Sequence, residues 1–344
     1  MKKTIVMLLA ILLLPLTCLA GGKKQGKTFT VLQWNIWQEG TMVKGGYEAI
    51  LNELERLRPD YVTFSEVRNY RDDFIARVCK DMAKRGVVYY GFRSDDTGLL
   101  SSTPITAHKT VFPLNDDHGS IYKLETKVCG RKLALYTSHL DYLNDTYYEV
   151  RGVDGNTFKE MEPLTDVDEI LRRNALSMRD KAIANFLKEA KCDQERGFIT
   201  IIGGDFNEPS VQDWTEQTRN MYDHHGVVIA WPQTTALIKA GFKDCYRTVH
   251  PNVLTHPGFT FPSDNPDVDP NKLTWAPKSD ERDRIDYLFF RGKGIKVTDC
   301  KLFGPEGNIA YAKRVPLGTD EPIITPLATW PTDHKGVLAT FVVE

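Results

Sequence analysis

The stretch Ile199-Thr-Ile-Ile-Gly-Gly-Asp-Phe-Asn-Glu-Pro209 constrains this chain more than any other. Four apolar or β-branched residues compose a strand buried on both faces, and two glycines with a proline close behind mark its end. Asp205 and Asn207 then stand at a strand's exit. The period of two in extended chain sends both to one side and Phe206 to the other. A carboxylate and a carboxamide side by side can bind a hard cation, or grip a phosphoryl oxygen and the water attacking it. Gly, Asp, Asn and Pro are also turn residues, so this stretch alone suits a plain turn equally well.

The same arrangement recurs along the chain. Residues 28–36 form a first strand carrying Asn35, and 61–67 a second carrying Glu66, a carboxylate that is unfavourable in a strand unless edge-exposed, paired or liganded. Apolar stripes predict helices over 47–58 and 74–84. Strands are expected over 98–107, 121–128 and 132–142, the last delivering His139 with Asp141 on the same side. The acidic, aromatic segment 144–168 suits an insertion over a site, and 170–190 is patterned as one amphipathic helix.

Beyond Pro209 the pattern is weaker. His224-His225 lies on an irregular segment without matched carboxylates, which favours solvent-facing imidazoles over metal ligands. A short helix is expected over 234–240, and 255–284 is rich in Pro, Asp and Asn, as a long surface loop would be. Residues 284–290 resume a strand with Asp286 at its start, and Asp333-His334 precedes the last strand, 337–343.

Met1-Lys2-Lys3, an apolar run to Pro15 and Cys18-Leu19-Ala20 predict a signal peptide over 1–20, export to the periplasm or the medium, a flexible leader over 21–27 and a single domain over 28–344. A lipid on Cys18 is the minor alternative. The apolar run is short for a transmembrane anchor, and a monomer is expected. Cleavage would take Lys2 and Lys3 from 44 basic residues and none of the 46 acidic ones, so no strongly basic face for nucleic acid is expected. The cysteines are widely spaced with no Cys-x-x-Cys pair, which disfavours a zinc site.

Nearly every strong strand thus delivers an acid, amide or imidazole at one end. The motifs Trp34-Asn35-Ile36, Ser65-Glu66-Val67, Ser138-His139-Leu140-Asp141, Gly204-Asp205-Phe206-Asn207, Arg284-Ile285-Asp286-Tyr287 and Thr332-Asp333-His334 resemble, in set and order, the endonuclease/exonuclease/phosphatase superfamily. The resemblance implies an α/β fold, a four-layer αββα sandwich of two packed mixed β-sheets flanked by helices. It implies a metal-dependent hydrolase that cleaves a phosphoester by in-line attack of water, with Mg²⁺, or Mn²⁺ or Ca²⁺, as cofactor. Glu66 would be the principal metal ligand, assisted by Asn35 and Asp333. His334 would act as general base or phosphate stabiliser oriented by Asp286, Asp205 and Asn207 would position water and phosphate, and His139 would donate toward the phosphate or leaving oxygen. Ser102 stands where the family often has an arginine, so Arg151, Arg172 or Arg173 is expected to supply any missing phosphate contact.

The expected function is therefore a secreted phosphoesterase acting on a phosphodiester or phosphomonoester. A small or lipid-derived ester suits the acidic balance slightly better than long nucleic acid. A nuclease and a sphingomyelinase-like phospholipase are the alternatives within the class, and a catalytically silent binding protein is the alternative outside it.

Overall fold

A computed structural model describes residues 26–344; the expected signal peptide, Cys18 and most of the expected leader lie outside the described residues. In β1 (Lys27–Asn35) the two-residue period turns Phe29 and Val31 one way and Leu32 and Trp34 the other, and both rows are buried. The chain continues through α1 (Gly46–Leu57), β2 (Tyr61–Val67), α2 (Phe74–Lys84), β3 (Tyr90–Gly91) and β4 (Asp96–Ser101). Next come β5 (Ala107–Phe112), β6 (Gly119–Val128), β7 (Arg131–Leu140), α3 (Thr146–Val150), α4 (Val167–Asn174), α5 (Arg179–Glu195) and β8 (Ile199–Asp205). The last part holds α6 (Pro232–Lys239), β9 (Lys243–Asp244), α7 (Cys245–Val249), β10 (Asp286–Arg291), β11 (Ile295–Phe303), β12 (Asn308–Ala310), β13 (Lys313–Val315), β14 (Ile323–Ile324) and β15 (Gly336–Val343).

One mixed sheet runs β14-β11-β15-β1-β2-β4-β3 and the other β5-β6-β7-β8-β10-β9, with β12-β13 as a separate ribbon. Val31, Leu135, Ile201, Leu288 and Phe341 fill the space between the sheets. Trp34, Phe64, Ile50, Leu54 and Phe74 bury the outer face of the first sheet beneath α1 and α2. Tyr136, Ile202, Phe206, Phe186 and Leu237 do the same for the second beneath α5 and α6. The result is the four-layer αββα sandwich, since each helix offers one apolar stripe and each sheet needs its outer face covered. Among the described residues no helix is long and apolar enough to cross a membrane, and Cys79, Cys129, Cys192, Cys245 and Cys300 are free thiols.

Four local expectations are corrected. Gly203 and Gly204 do not end the central strand; both pair within it, and a Cβ would lie 2.3 Å from Thr63 Oγ1 of the facing sheet at Gly203 and 1.9 Å from Ser138 Oγ of the neighbouring strand β7 at Gly204. The strand expected over 98–107 is two strands in different sheets, β4 and β5, parted around Pro104, which has no N–H for a ladder. The helix expected over 170–190 breaks between α4 and α5, where the buried Asn174 side chain bonds Thr146, Arg179 and Glu208. Residues 255–284 are not a surface loop. Thr260, Phe261, Asn265, Glu281 and Arg284 are buried, and Phe261 joins Tyr147, Tyr148 and Trp214 in a fourth apolar cluster.

Candidate active site

Strand register gathers the polar strand ends. In the second sheet Asp205 of β8 pairs with His139 of β7 on one side and with Asp286 of β10 on the other, so three adjacent strands present their side chains at one level. In the first sheet Asn35 ends β1 and Glu66 nearly ends β2, with Asp333 and His334 just before β15. Polar links between the sheets lock this end: Ser65 Oγ donates to Ser138 O at 2.9 Å and accepts from Asp205 N at 3.1 Å, and Thr137 Oγ1 donates to Phe64 O at 3.0 Å.

Two buried Asp–His pairs face each other across Asp205. His334 Nδ1 lies 2.9 Å from Asp286 Oδ2, and His139 Nδ1 lies 2.8 Å from Asp96 Oδ2. Their Nε2 atoms stand 3.8 and 3.9 Å from Asp205 Oδ2, which also accepts from Asn35 Nδ2 at 2.9 Å. Asn207 donates its N–H to Asp205 Oδ1 at 2.9 Å and sets its side-chain amide 3.2 Å from His139 Nε2. Asp286 is held from behind by Gln33 Nε2 at 3.4 Å, and its N–H donates to Thr260 Oγ1 at 3.1 Å.

The charges are strongly coupled. Burial alone would depress both imidazoles, but Asp286 and Asp205 outweigh it and raise His334 to about 10, and Asp96, with smaller help from Asp205 and Glu66, raises His139 to about 9. Burial pushes the Asp205 carboxyl up, helped by Asp286 and opposed by the two imidazoles. Burial also raises Asp333, with Glu66 adding to the push and His334 opposing it.

Glu66 owes its direction to a bulge. The β2–β4 register slips between Ser65 and Val67, and Glu66 adopts φ 65° as the extra residue, which turns its side chain into the cavity. A left-handed turn grips it. Trp37, Gln38, Glu39 and Gly40 have φ of 39°, 56°, 63° and 70°, and Gln38 N–H donates to Glu66 Oε2 at 3.0 Å while Asn35 Nδ2 donates to Oε1 at 3.1 Å. Non-glycine residues resist this conformation by roughly 1–2 kcal/mol each. It is held by the Glu39 carboxylate, which accepts from Asn69 N–H and from Arg77 Nη2.

Glu66 and Asp333 face one cavity as like charges, and Glu66 raises the cost of ionising Asp333. The two carboxylates fit a hard divalent cation, which would relieve that repulsion, whereas Asn35 turns its Nδ2 toward Glu66 and Asp205 and commits its Oδ1 to Trp37 N–H, so it steadies Glu66 rather than offering an oxygen. Asp205, Asp286 and His334 also place one ligand atom each within 4.8 Å of one another, the only such group among the described residues. Asp286, however, already engages both carboxylate oxygens, with His334 and Gln33.

The cavity, of about 260 Å³, is lined by Glu66, His139, Asp205, Asn207, Asp333 and His334 among the expected residues; Asn35 and Asp286 sit behind them. Asp141 stays outside, bonded to His118 and to Met178 N–H at the start of α5. Ser102 follows the far end of β4, beside Asp60, so its identity has no bearing on the cavity. Arg151 is buried against Asp283, and Arg172 and Arg173 pair with Glu169, so none replaces a phosphate contact. His224 is not solvent-facing: it is buried and stacked on Trp214 at 3.7 Å, for which Trp214 offered no local pattern.

Sequence reasoning missed Asp96, Arg68 and Trp275, whereas Tyr147, Tyr148 and Phe158, which with Trp275 form an aromatic wall, come from the 144–168 segment expected over the site. Asp95-Asp96-Thr97-Gly98 resembles a turn, and only the pairing of Asp96 with His139 distinguishes it. The aromatic content of 144–168 was the available signal for the wall.

A model of the Endonuclease/Exonuclease/phosphatase family matches residues 32–334. An uncharacterized protein of Caenorhabditis elegans is 25% identical, over 98% of this chain and 99% of its own length. Truncated Caenorhabditis elegans TDP2 superposes with a TM-score of 0.53 at 18% identity, covering 92% of this chain and 98% of that one. D. rerio TDP2 complexed with single-strand DNA product gives 0.50 at 18%, covering 91% and 98%. An endonuclease/exonuclease/phosphatase from Beutenbergia cavernae gives 0.50 at 14%, covering 92% and 72%. These structural likenesses establish a shared fold.

Proposed function

The chain belongs to the endonuclease/exonuclease/phosphatase family, and on that premise we propose that it is a metal-dependent phosphoesterase acting on a small phosphodiester or phosphomonoester. One observation carries the reading: two buried Asp–His pairs converge on Asp205 in a cavity that two further carboxylates, Glu66 and Asp333, also line. A phosphoester resists water because it is anionic and its leaving alkoxide is poor, and this set answers each difficulty.

Glu66 and Asp333, with Asn35 orienting Glu66, would hold the divalent cation, Mg²⁺ in this proposal, which would draw charge from a non-bridging oxygen. His334 and His139, protonated at neutral pH, donate from Nε2 to phosphoryl oxygens. Asp205, its basicity raised by burial, orients the attacking water through Asn207 and takes its proton as the new P–O bond forms. As the P–O bond to the leaving group breaks, His139 returns a proton to that oxygen. Arg68, the one arginine or lysine lining the cavity among the described residues, is placed to meet a remaining oxygen.

A cavity of about 260 Å³ containing several carboxylates supports a compact ester over duplex nucleic acid. A nuclease acting on single strands is the second reading, favoured by the single-strand DNA product named for the D. rerio TDP2 complex. Export rests on the first twenty residues alone. Hydrolysis of bis(p-nitrophenyl) phosphate and p-nitrophenyl phosphate by the purified protein, with Mg²⁺, Mn²⁺ or EDTA, tests the proposal. Metal-dependent turnover is expected; no turnover of either ester, of oligonucleotides or of sphingomyelin with any metal would overturn it.

A further inference from the structure

Trp275 is the one side chain shared by three adjoining cavities: the catalytic one, a groove of about 660 Å³ that also touches Trp37 and Met42, and a hollow of about 620 Å³ on the other flank. It is 53% exposed, unusual for so large an apolar ring beside a reaction centre. Its indole stacks on Phe158 at 4.7 Å with a 35° tilt, and Phe158 meets Tyr148 edge-on at 6.0 Å. The wall therefore ends in a ring with one face covered and the other free.

The turn that carries this ring is built around a buried charge. The Glu281 carboxylate, fully buried, accepts from Trp275 N–H at 3.2 Å, from Ala276 N–H at 3.1 Å and from the Thr274 hydroxyl. A carboxylate is expensive to bury, and here its hydrogen bonds are all spent on holding residues 274–276. An indole fixed in this way loses little freedom when a flat group covers it, which is the condition for useful stacking.

The surroundings say what kind of group it can be. The groove is lined by Asp267, Asp269 and Asp333 against a single cation, Lys272. A second phosphate in the groove would meet net repulsion, whereas a neutral ring would not.

We propose that Trp275 is a stacking platform for a planar aromatic group carried by the ester, so that the preferred substrates bear one phosphate joined to an aryl or nucleoside moiety. The proposal rests on the phosphoesterase reading and narrows its substrate class. Stacking of a base on an aromatic side chain typically changes affinity by roughly five- to hundredfold.

The test uses competition against bis(p-nitrophenyl) phosphate turnover by phenyl phosphate, cyclohexyl phosphate, a nucleoside 5′-monophosphate and dodecyl phosphate. Phenyl and cyclohexyl phosphate have similar bulk and one charge centre, but only the first is flat. Phenyl phosphate is expected to compete about tenfold better than cyclohexyl phosphate, with Trp275→Ala erasing the difference and Trp275→Phe keeping most of it. The nucleotide arm separates the two sources of a planar ring. Equal inhibition by the phenyl and cyclohexyl esters, or a preference untouched in Trp275→Ala, would overturn the proposal, as would dodecyl phosphate competing best, which would make the groove a lipid site. Absence of reporter turnover would count against the phosphoesterase reading instead; quenching of tryptophan fluorescence by phenyl phosphate, lost in Trp275→Ala, then decides the platform separately.

Discussion

The two Asp–His pairs have nearly the same geometry and very different surroundings. Asp286 is fully buried, with Gln33 on one oxygen, His334 on the other and Thr260 accepting from its backbone, and Phe261 packs on the imidazole at 4.7 Å. Asp96 shares its carboxylate between His139 and Arg68, and Arg68 is shared in turn with the half-exposed Asp117. One imidazole is set in a dry, fully bonded frame; the other is tied to a chain of charges that reaches solvent. The same hydrogen bond thus serves a fixed group on one side and an adjustable group on the other.

The fixed side should dominate the rate. His334→Ala is expected to lower kcat by roughly 10²–10⁴-fold with unchanged circular dichroism. A larger loss from His139→Ala would reverse the ranking of the two sides. Asp286→Asn should cost about a hundredfold or more, because it removes the carboxylate that keeps the imidazole protonated and oriented, and Asp96→Asn about tenfold, because Asp205 and Glu66 still favour the charged His139. Equal losses in these two variants would collapse the distinction. Arg68→Met should raise KM about five- to tenfold with a smaller change in kcat; an unchanged KM would remove Arg68 from substrate contact.

The smallest effect expected is on stability. In the folded protein His139 is raised from 6.5 to about 9, because the Asp96 and Asp205 charges outweigh burial. The pair's contribution is therefore complete below pH 6.5 and disappears as pH rises through about 9. Urea unfolding with EDTA present should show this decline, and His139→Asn should make it shallower, leaving the part that His334 contributes; an identical slope in the variant would show that the pair does not couple to folding.

The same contrast explains what could be read in advance. Asp286 and His334 each follow or precede a strong apolar strand, where an inserted acid or imidazole stands out against its neighbours. Asp96 begins its strand in a left-handed conformation at a bulge, and its sequence neighbours are turn formers, so nothing local marks it. The strands of the sandwich were legible from apolar runs and alternation, whereas the buried segment around Phe261 and Glu281 was not. Its polar composition serves buried hydrogen bonds rather than solvent, a distinction that only tertiary contact makes. Gly203 and Gly204 misled for a related reason, since their meaning lies in Thr63 of the facing sheet and Ser138 of the paired strand, both far away in sequence.

The pairing of Lys27 with Val343 at the starting end of β1 has a practical outcome. Asn35 closes the opposite end of that nine-residue strand at the cavity, so Gly26 and Glu344 leave the sandwich side by side from the pole remote from the chemistry. A tag, a solid support or a fused partner attached after Glu344, or before Gly26 in a chain shortened to begin there, would leave the mouth of the cavity pointing outward, and a short linker from Glu344 to Gly26 would permit circularly permuted variants opened elsewhere on the surface.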